Sequence, residues 1–208
     1  TSEDGYTWKP RSSGISTHLN GIAYGQGWYV AVGNSGLILT SGNCESLWGI
    51  CYAKNLFVAV GDHGRILTSP DGISWTARVS GTSQNLTSVC YGKDLLVAVG
   101  WNGTILVSTN GVDWVNRTTG TAHFWDVSYG QDRFMAVGTS GAIYYSTDGF
   151  NWTAGNSCTS TPLRGVHFGN NLFTIVGDGG VILTSDNGSI CTLRDSGTSN
   201  SLYGITYG

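Results

Sequence analysis

The chain has 208 residues, enough for one domain with a real core, and its formal net charge of −3 leaves no basic footprint for nucleic acid. Only 11% of residues are charged, while 8 Trp, 10 Tyr and 6 Phe supply apolar area, which excludes a disordered chain. No stretch approaches the ~20 apolar residues of a membrane-spanning helix, and no charged-then-apolar leader opens the sequence, so any signal peptide is expected to have gone.

Glu3-Asp4-Gly5-Tyr6-Thr7-Trp8 reads as the start of an outer strand. After it, one unit recurs. A Val-Gly pair places its glycine at Gly33, Gly61, Gly100, Gly138 and Gly177, with spacings of 28, 39, 38 and 39. An aromatic residue before Gly or Ala keeps the same ruler at Tyr24, Tyr52, Tyr91, Tyr129, Phe168 and Tyr207. Within one unit, strand A is Leu47–Tyr52 and strand B is Phe57–Val60. A turn from Gly61 to Gly64 leads to strand C, Arg65–Thr68. Pro70-Asp71-Gly72 then turns into strand D around Trp75. Short β-branched and aromatic runs between glycine turns are hairpin strands, and no segment holds a helical period. A period near 40 built this way predicts an all-β fold, a β-propeller of about 39-residue four-stranded blades, over a single domain, residues 1–208.

Two places break the pattern. The first interval is short because Gly42–Ser46 runs directly to Leu47, without the turn and strand D. The ends also cut a repeat: Leu202–Gly208 is a strand A with no B or C after it. Five or six blades are therefore expected, one of them irregular, either as a ring with about 20 further residues or as a module of a longer array.

Ser69-Pro70-Asp71-Gly72-Ile73-Ser74-Trp75 recurs as Ser108–Trp114 and Ser146–Trp152, with a degenerate copy at Ser185–Cys191. It resembles the Asp-box of BNR-repeat propellers, in a short form with no residue between Asp and Gly. Similar repeats occur in sialidases, sorting receptors and photosystem II assembly factors. The resemblance covers nearly all of the chain. It implies that the box lies at the C–D turn as a folding element, with Asp71 and Asp148 closing the turn and Trp packed between blades.

Catalytic inventory is poor. A sialidase-like site needs converging arginines and a Tyr–Glu pair. Here Glu3 and Glu45 are the only glutamates, and Arg164 alone among the arginines lies on an inner strand. His18, His63, His123 and His167 fall in different repeats without ligand spacing. No catalytic residue, metal or cofactor is assigned. Cys51 and Cys90 occupy equivalent places and read as buried thiols. Cys158 and Cys191 each replace a repeat residue and are the candidate disulfide. Asn85, Asn102, Asn116, Asn151 and Asn187 open N-glycosylation sequons near turns.

Positions shared by all copies build the fold; positions that differ are free to serve a partner. The residue after the first strand A position varies most: Asn20, Trp48, Thr87, Trp125, Arg164 and Tyr203. The B–C tips vary too, with Trp101 at one of them. In a propeller both sets share one face, so Trp48, Trp101, Trp125, Arg164 and Tyr203 are the candidate binding residues, apart from the reading of Trp48 and Trp125 as core wedges. Aromatics with one Arg suit a protein hot spot or a stacked sugar. The expected function is a non-enzymatic secreted propeller, a protein-binding or structural module of an extracellular or cell-surface assembly, with the periplasm as the other compartment. A carbohydrate-binding propeller lectin is the alternative, and a sialidase-like glycoside hydrolase the second.

Overall fold

The computed structural model describes residues 18–25, 28–34 and 46–206. It is built of antiparallel sheets in chain order. β1 (Leu19–Gly25) and β2 (Trp28–Gly33) form the first. β3 (Leu47–Ala53), β4 (Leu56–Gly61), β5 (Ile66–Ser69) and β6 (Thr76–Arg78) form the second. The third holds β7 (Leu86–Gly92), β8 (Leu95–Gly100), β9 (Ile105–Ser108) and β10 (Val115–Asn116). The fourth holds β11 (Phe124–Gly130), β12 (Arg133–Gly138), β13 (Ile143–Ser146) and β14 (Thr153–Ala154). The fifth holds β15 (Leu163–Gly169), β16 (Leu172–Gly177), β17 (Ile182–Ser185) and β18 (Thr192–Arg194). The interval after Ser41 and the Glu3–Trp8 stretch lie outside the described residues.

Each blade is made by local chemistry. Strands A and B join through two-residue turns in which both residues are left-handed, as at Lys93-Asp94 (φ 49° and 61°) and Asn170-Asn171 (φ 48° and 60°). This is the hairpin turn whose twist matches the flanking strands. The Val-Gly ruler has a steric cause. A Cβ on Gly100 would overlap the Asn85 carbonyl oxygen, because the chain entering strand A crosses directly over the end of strand B.

The box turns close as folding elements. In the second blade the Ser69 hydroxyl accepts from the Gly72 N–H at 2.8 Å. Asp71 Oδ1 accepts from Ile73 and Ser74 N–H, both at 2.8 Å. Trp75 Nε1 donates to the Gly72 carbonyl at 3.2 Å. The Ser108 and Ser146 copies repeat this set, with Asn110 in the Asp position of the first. Trp114 packs on the core shared by Val58, Ile66, Leu96 and Leu106, and Trp152 on that of Leu95, Val97 and Phe134. These are contacts between successive blades, and burying each ring removes roughly 150–250 Å² from water.

The inner strands β1, β3, β7, β11 and β15 follow one another, each packed on the next. Beyond β15, residues 201–206 take the place of a further inner strand, and the Leu202 N–H donates to the Gly177 carbonyl at 3.0 Å. Among the described residues no ladder joins this segment to β1. Leu19 is 51% exposed, whereas Leu47, Leu86, Phe124 and Leu163, its equivalents, are at most 1% exposed. The described blades thus form an open arc.

Candidate binding mouth

One irregularity recurs in all five blades. The register slips between the first and third residues of strand A, as between Leu47 and Gly49, Phe124 and Asp126, and Leu163 and Gly165. The residue between has no ladder partner. A bulge of this kind re-aims its side chain, and here it releases Asn20, Trp48, Thr87, Trp125 and Arg164. They are the positions at which the repeats differ.

Each has a counterpart fourteen residues on, at the B–C tip of its own blade. Asn20 Nδ2 donates to Asn34 Oδ1 at 2.8 Å. Trp48 Nε1 donates to Asp62 Oδ1 at 2.7 Å. Arg164 grips Asp178 through Nε and Nη2, at 2.9 and 2.6 Å. In the third blade the bulge residue is the small Thr87, and the tryptophan stands at the tip as Trp101. In the fourth the tip residue is Thr139, whose hydroxyl accepts from the His123 N–H at 3.0 Å. Trp125 Nε1 is left buried without a hydrogen-bond partner.

These side chains surround one cavity of about 460 Å³, whose wall includes Trp48, Trp101, Trp125, Arg164 and Tyr203. All five sequence candidates therefore meet at one mouth. Trp48 and Trp101 are 41% and 39% exposed and Tyr203 is 72% exposed, so Trp48 is not a core wedge; Trp125 is half-buried. The Arg164 guanidinium lies 5.0 Å from the Trp125 ring and 5.9 Å from the Tyr203 ring. Trp101 is backed by the His123 imidazole at 5.4 Å between centroids. The Asp178 carboxyl is held below its usual range by the Arg164 bond, and that bond raises Arg164 in turn. The charge of Arg164 is matched within its own blade.

Sequence reasoning passed over Asp126. Its Oδ1 accepts from the Ser88 hydroxyl at 2.7 Å and the Val127 N–H at 2.9 Å, and its Oδ2 from the Val166 N–H at 2.9 Å. One carboxylate thus ties three successive inner strands. Burial pushes its pKa up, against the pull of these donors. The sole signal was an acidic residue where other copies carry Gly or Ser.

Of the remaining candidates, Asn85 also lines the mouth. Among the described residues no group of three or more His, Cys, Asp or Glu side chains is placed to hold a metal. Among the described residues no helix is long and apolar enough to cross a membrane. Burial pushes the Cys51 thiol up to about 12 and Cys90 also well up. Cys158 and Cys191 stand as free thiols, with the Cys158 sulfur 2.6 Å from the Cys191 carbonyl oxygen. Among the sequons, Asn102, Asn116 and Asn151 are exposed. Asn85 accepts from the His63 N–H at 3.0 Å, and Asn187 closes the last box turn through Ser189 N–H at 2.9 Å.

No family model and no curated protein matches the chain. Solved structures do. A structure described as YCF48 bound to D1 peptide superposes with a TM-score of 0.66 at 16% identity, covering 86% of this chain and 67% of the other. The chain is a β-propeller. YCF48 from Cyanidioschyzon merolae matches with a TM-score of 0.68 at 16% identity, over 98% of this chain and 80% of that one. The WD40 propeller domain of Doa1 matches with a TM-score of 0.69 at 15% identity, over 90% and 71%. At these identities the likeness carries the fold.

Proposed function

We propose that this propeller is a non-enzymatic protein-binding module whose mouth takes a segment of a partner protein. The observation that carries the reading is the convergence on one cavity of five side chains from the bulge and tip positions, at which the repeats vary. The blade fold needs none of these identities. Exposed Trp and Tyr faces around a concave centre are what interface hot spots are made of. The D1 peptide bound by YCF48 lends the reading support from a protein of the same fold. Because Asp178 already neutralises Arg164, the mouth favours an apolar or aromatic anchor over an acidic one. The box turns, with their Ser, Asp and Gly bonds, support placing these repeats with the BNR/Asp-box type.

An extracellular or cell-surface setting belongs to the proposal, and the exposed sequons at Asn102, Asn116 and Asn151 support it. A single glycan at the mouth is the second reading, favoured by the open faces of Trp48 and Trp101. Multivalent sugar binding is disfavoured because the mouth residues differ from blade to blade. Glycosidase chemistry is disfavoured because Asp71 and Asp148 are committed to turn bonds.

The test is a screen of the wild-type protein against a random peptide array and a glycan array. Enriched peptides whose affinity falls at least tenfold in Trp101→Ala support the reading; binding to glycans alone replaces it with the second.

A further inference from the structure

We propose that Cys158 and Cys191 form a redox-closed staple that takes over, in the fifth blade, the task a box tryptophan performs in the others. In the second, third and fourth blades the box ends in Trp75, Trp114 or Trp152. Each indole donates to the box glycine carbonyl and packs on the preceding blade. In the fifth blade Cys191 stands in that position. It is buried, packed against Met135, Ile143 and Leu183, and has no indole to make the bond.

The neighbouring chain compensates. The segment leaving β14 runs alongside this box: Asn156 and Ile190 form an isolated parallel bridge, and the Asn156 N–H donates to the Ser189 carbonyl at 3.0 Å. Two residues further on, Cys158 brings its sulfur to 2.6 Å from the Cys191 carbonyl oxygen. Two thiols from successive blades thus meet where the inter-blade anchor is absent.

The two sulfurs are unequal. Cys158 is exposed, and Cys191 is buried with its thiol pushed up to about 11. The exposed thiolate therefore reacts first. With oxidised glutathione, Cys158 attacks one glutathione sulfur, the disulfide breaks, and glutathione thiolate leaves. Cys191 then loses its proton and attacks the Cys158 sulfur, expelling the second glutathione thiolate. Two cysteine thiols are oxidised and one glutathione disulfide is reduced to two thiols, the two cysteine protons ending on the two glutathione thiolates.

The experiment incubates the folded protein with oxidised glutathione, or with dithiothreitol, and maps disulfides by mass spectrometry of non-reduced peptides. The expected result is a Cys158–Cys191 link in the wild type and a rise in Tm of about 5–10 °C over the reduced form. Cys191→Ser should instead accumulate a glutathione adduct at Cys158, and Cys158→Ser should leave Cys191 unmodified. A persistent adduct on Cys158 in the wild type, a bridge from Cys158 to any other cysteine, or a link that leaves Tm unchanged would overturn the proposal.

Discussion

Arg164 and Asp178 form a two-pronged ion pair that spans a single blade, from the bulge of its inner strand to the tip of its next hairpin. The same span of fourteen residues joins Trp48 to Asp62 and Asn20 to Asn34. In these three blades the bulge and tip residues act as a pair, while Thr87 and Trp125 in the third and fourth do not bond their tips.

Asp178→Ala should release Arg164 and turn the mouth cationic. The pair is about one quarter exposed on both sides, so its loss should cost only about 0.5–1 kcal/mol in thermal or urea unfolding. Peptide-array binding should shift toward acidic sequences. Unchanged selectivity would mean that Arg164 faces no ligand.

Two glycines in one turn should behave differently. Gly179 (φ 64°) has open space where a Cβ would stand, so Gly179→Ala should cost about 1 kcal/mol, for the left-handed backbone alone. Gly180 (φ 75°) faces the Thr198 carbonyl oxygen, and a Cβ there would overlap it. Gly180→Ala should therefore cost about 3 kcal/mol or more. Equal costs in urea unfolding would refute the crowding of this tip.

Two lowered carboxylates, Asp148 in a box turn and Asp178 at a tip, set the acid limb of stability. Asp148 is held well below its usual range, chiefly by the Asn151 N–H, and Asp178 is lowered by Arg164. Unfolded carboxylates titrate near pH ~4. Folded values below that mean a contribution present above pH ~4 and lost as pH falls through the folded values. Asp148→Asn should cost less than about 1 kcal/mol at pH 7, because Asn110 already makes the same turn bonds in the third blade. It should also flatten the dependence of Tm on pH below 4. A slope as steep as the wild type's would remove Asp148 from the account.

Asp126 has the opposite sign. Its folded pKa is raised, so its contribution is full below pH ~4 and fades as pH rises through the folded value. The carboxylate still accepts three hydrogen bonds, and Asp126→Asn would set an amide N–H against the Val166 N–H. A loss of about 1–3 kcal/mol is expected in chemical unfolding. A neutral outcome would show that the three-strand tie is dispensable.

Much of the fold was legible because close backbone contacts demand fixed residues. Gly100 must be glycine where chain crosses chain, and Ser69, Asp71 and Trp75 must recur to close a turn. The mouth was legible by the opposite logic, since Trp48, Trp125 and Arg164 stand where the copies disagree. The bulge that re-aims them was not, because a register slip leaves no residue signature when the freed position varies. Nor was the reach of Asp126, which takes a hydroxyl from Ser88 on one side and the Val166 N–H on the other, both from neighbouring blades. The pairing of Lys93 with Asp94 as a left-handed turn was hidden too, since neither residue is the Asn or Gly that usually marks it.

The central claim is that the mouth binds a partner segment. Its most direct test is the affinity of array-selected peptides for the wild type and for Trp48→Ala, Trp101→Ala and Tyr203→Ala, by isothermal titration calorimetry. All three side chains are well exposed, so folding should survive each change. A loss of tenfold or more in at least two of the three is expected. Peptides that bind all three variants as tightly as the wild type would contradict the account.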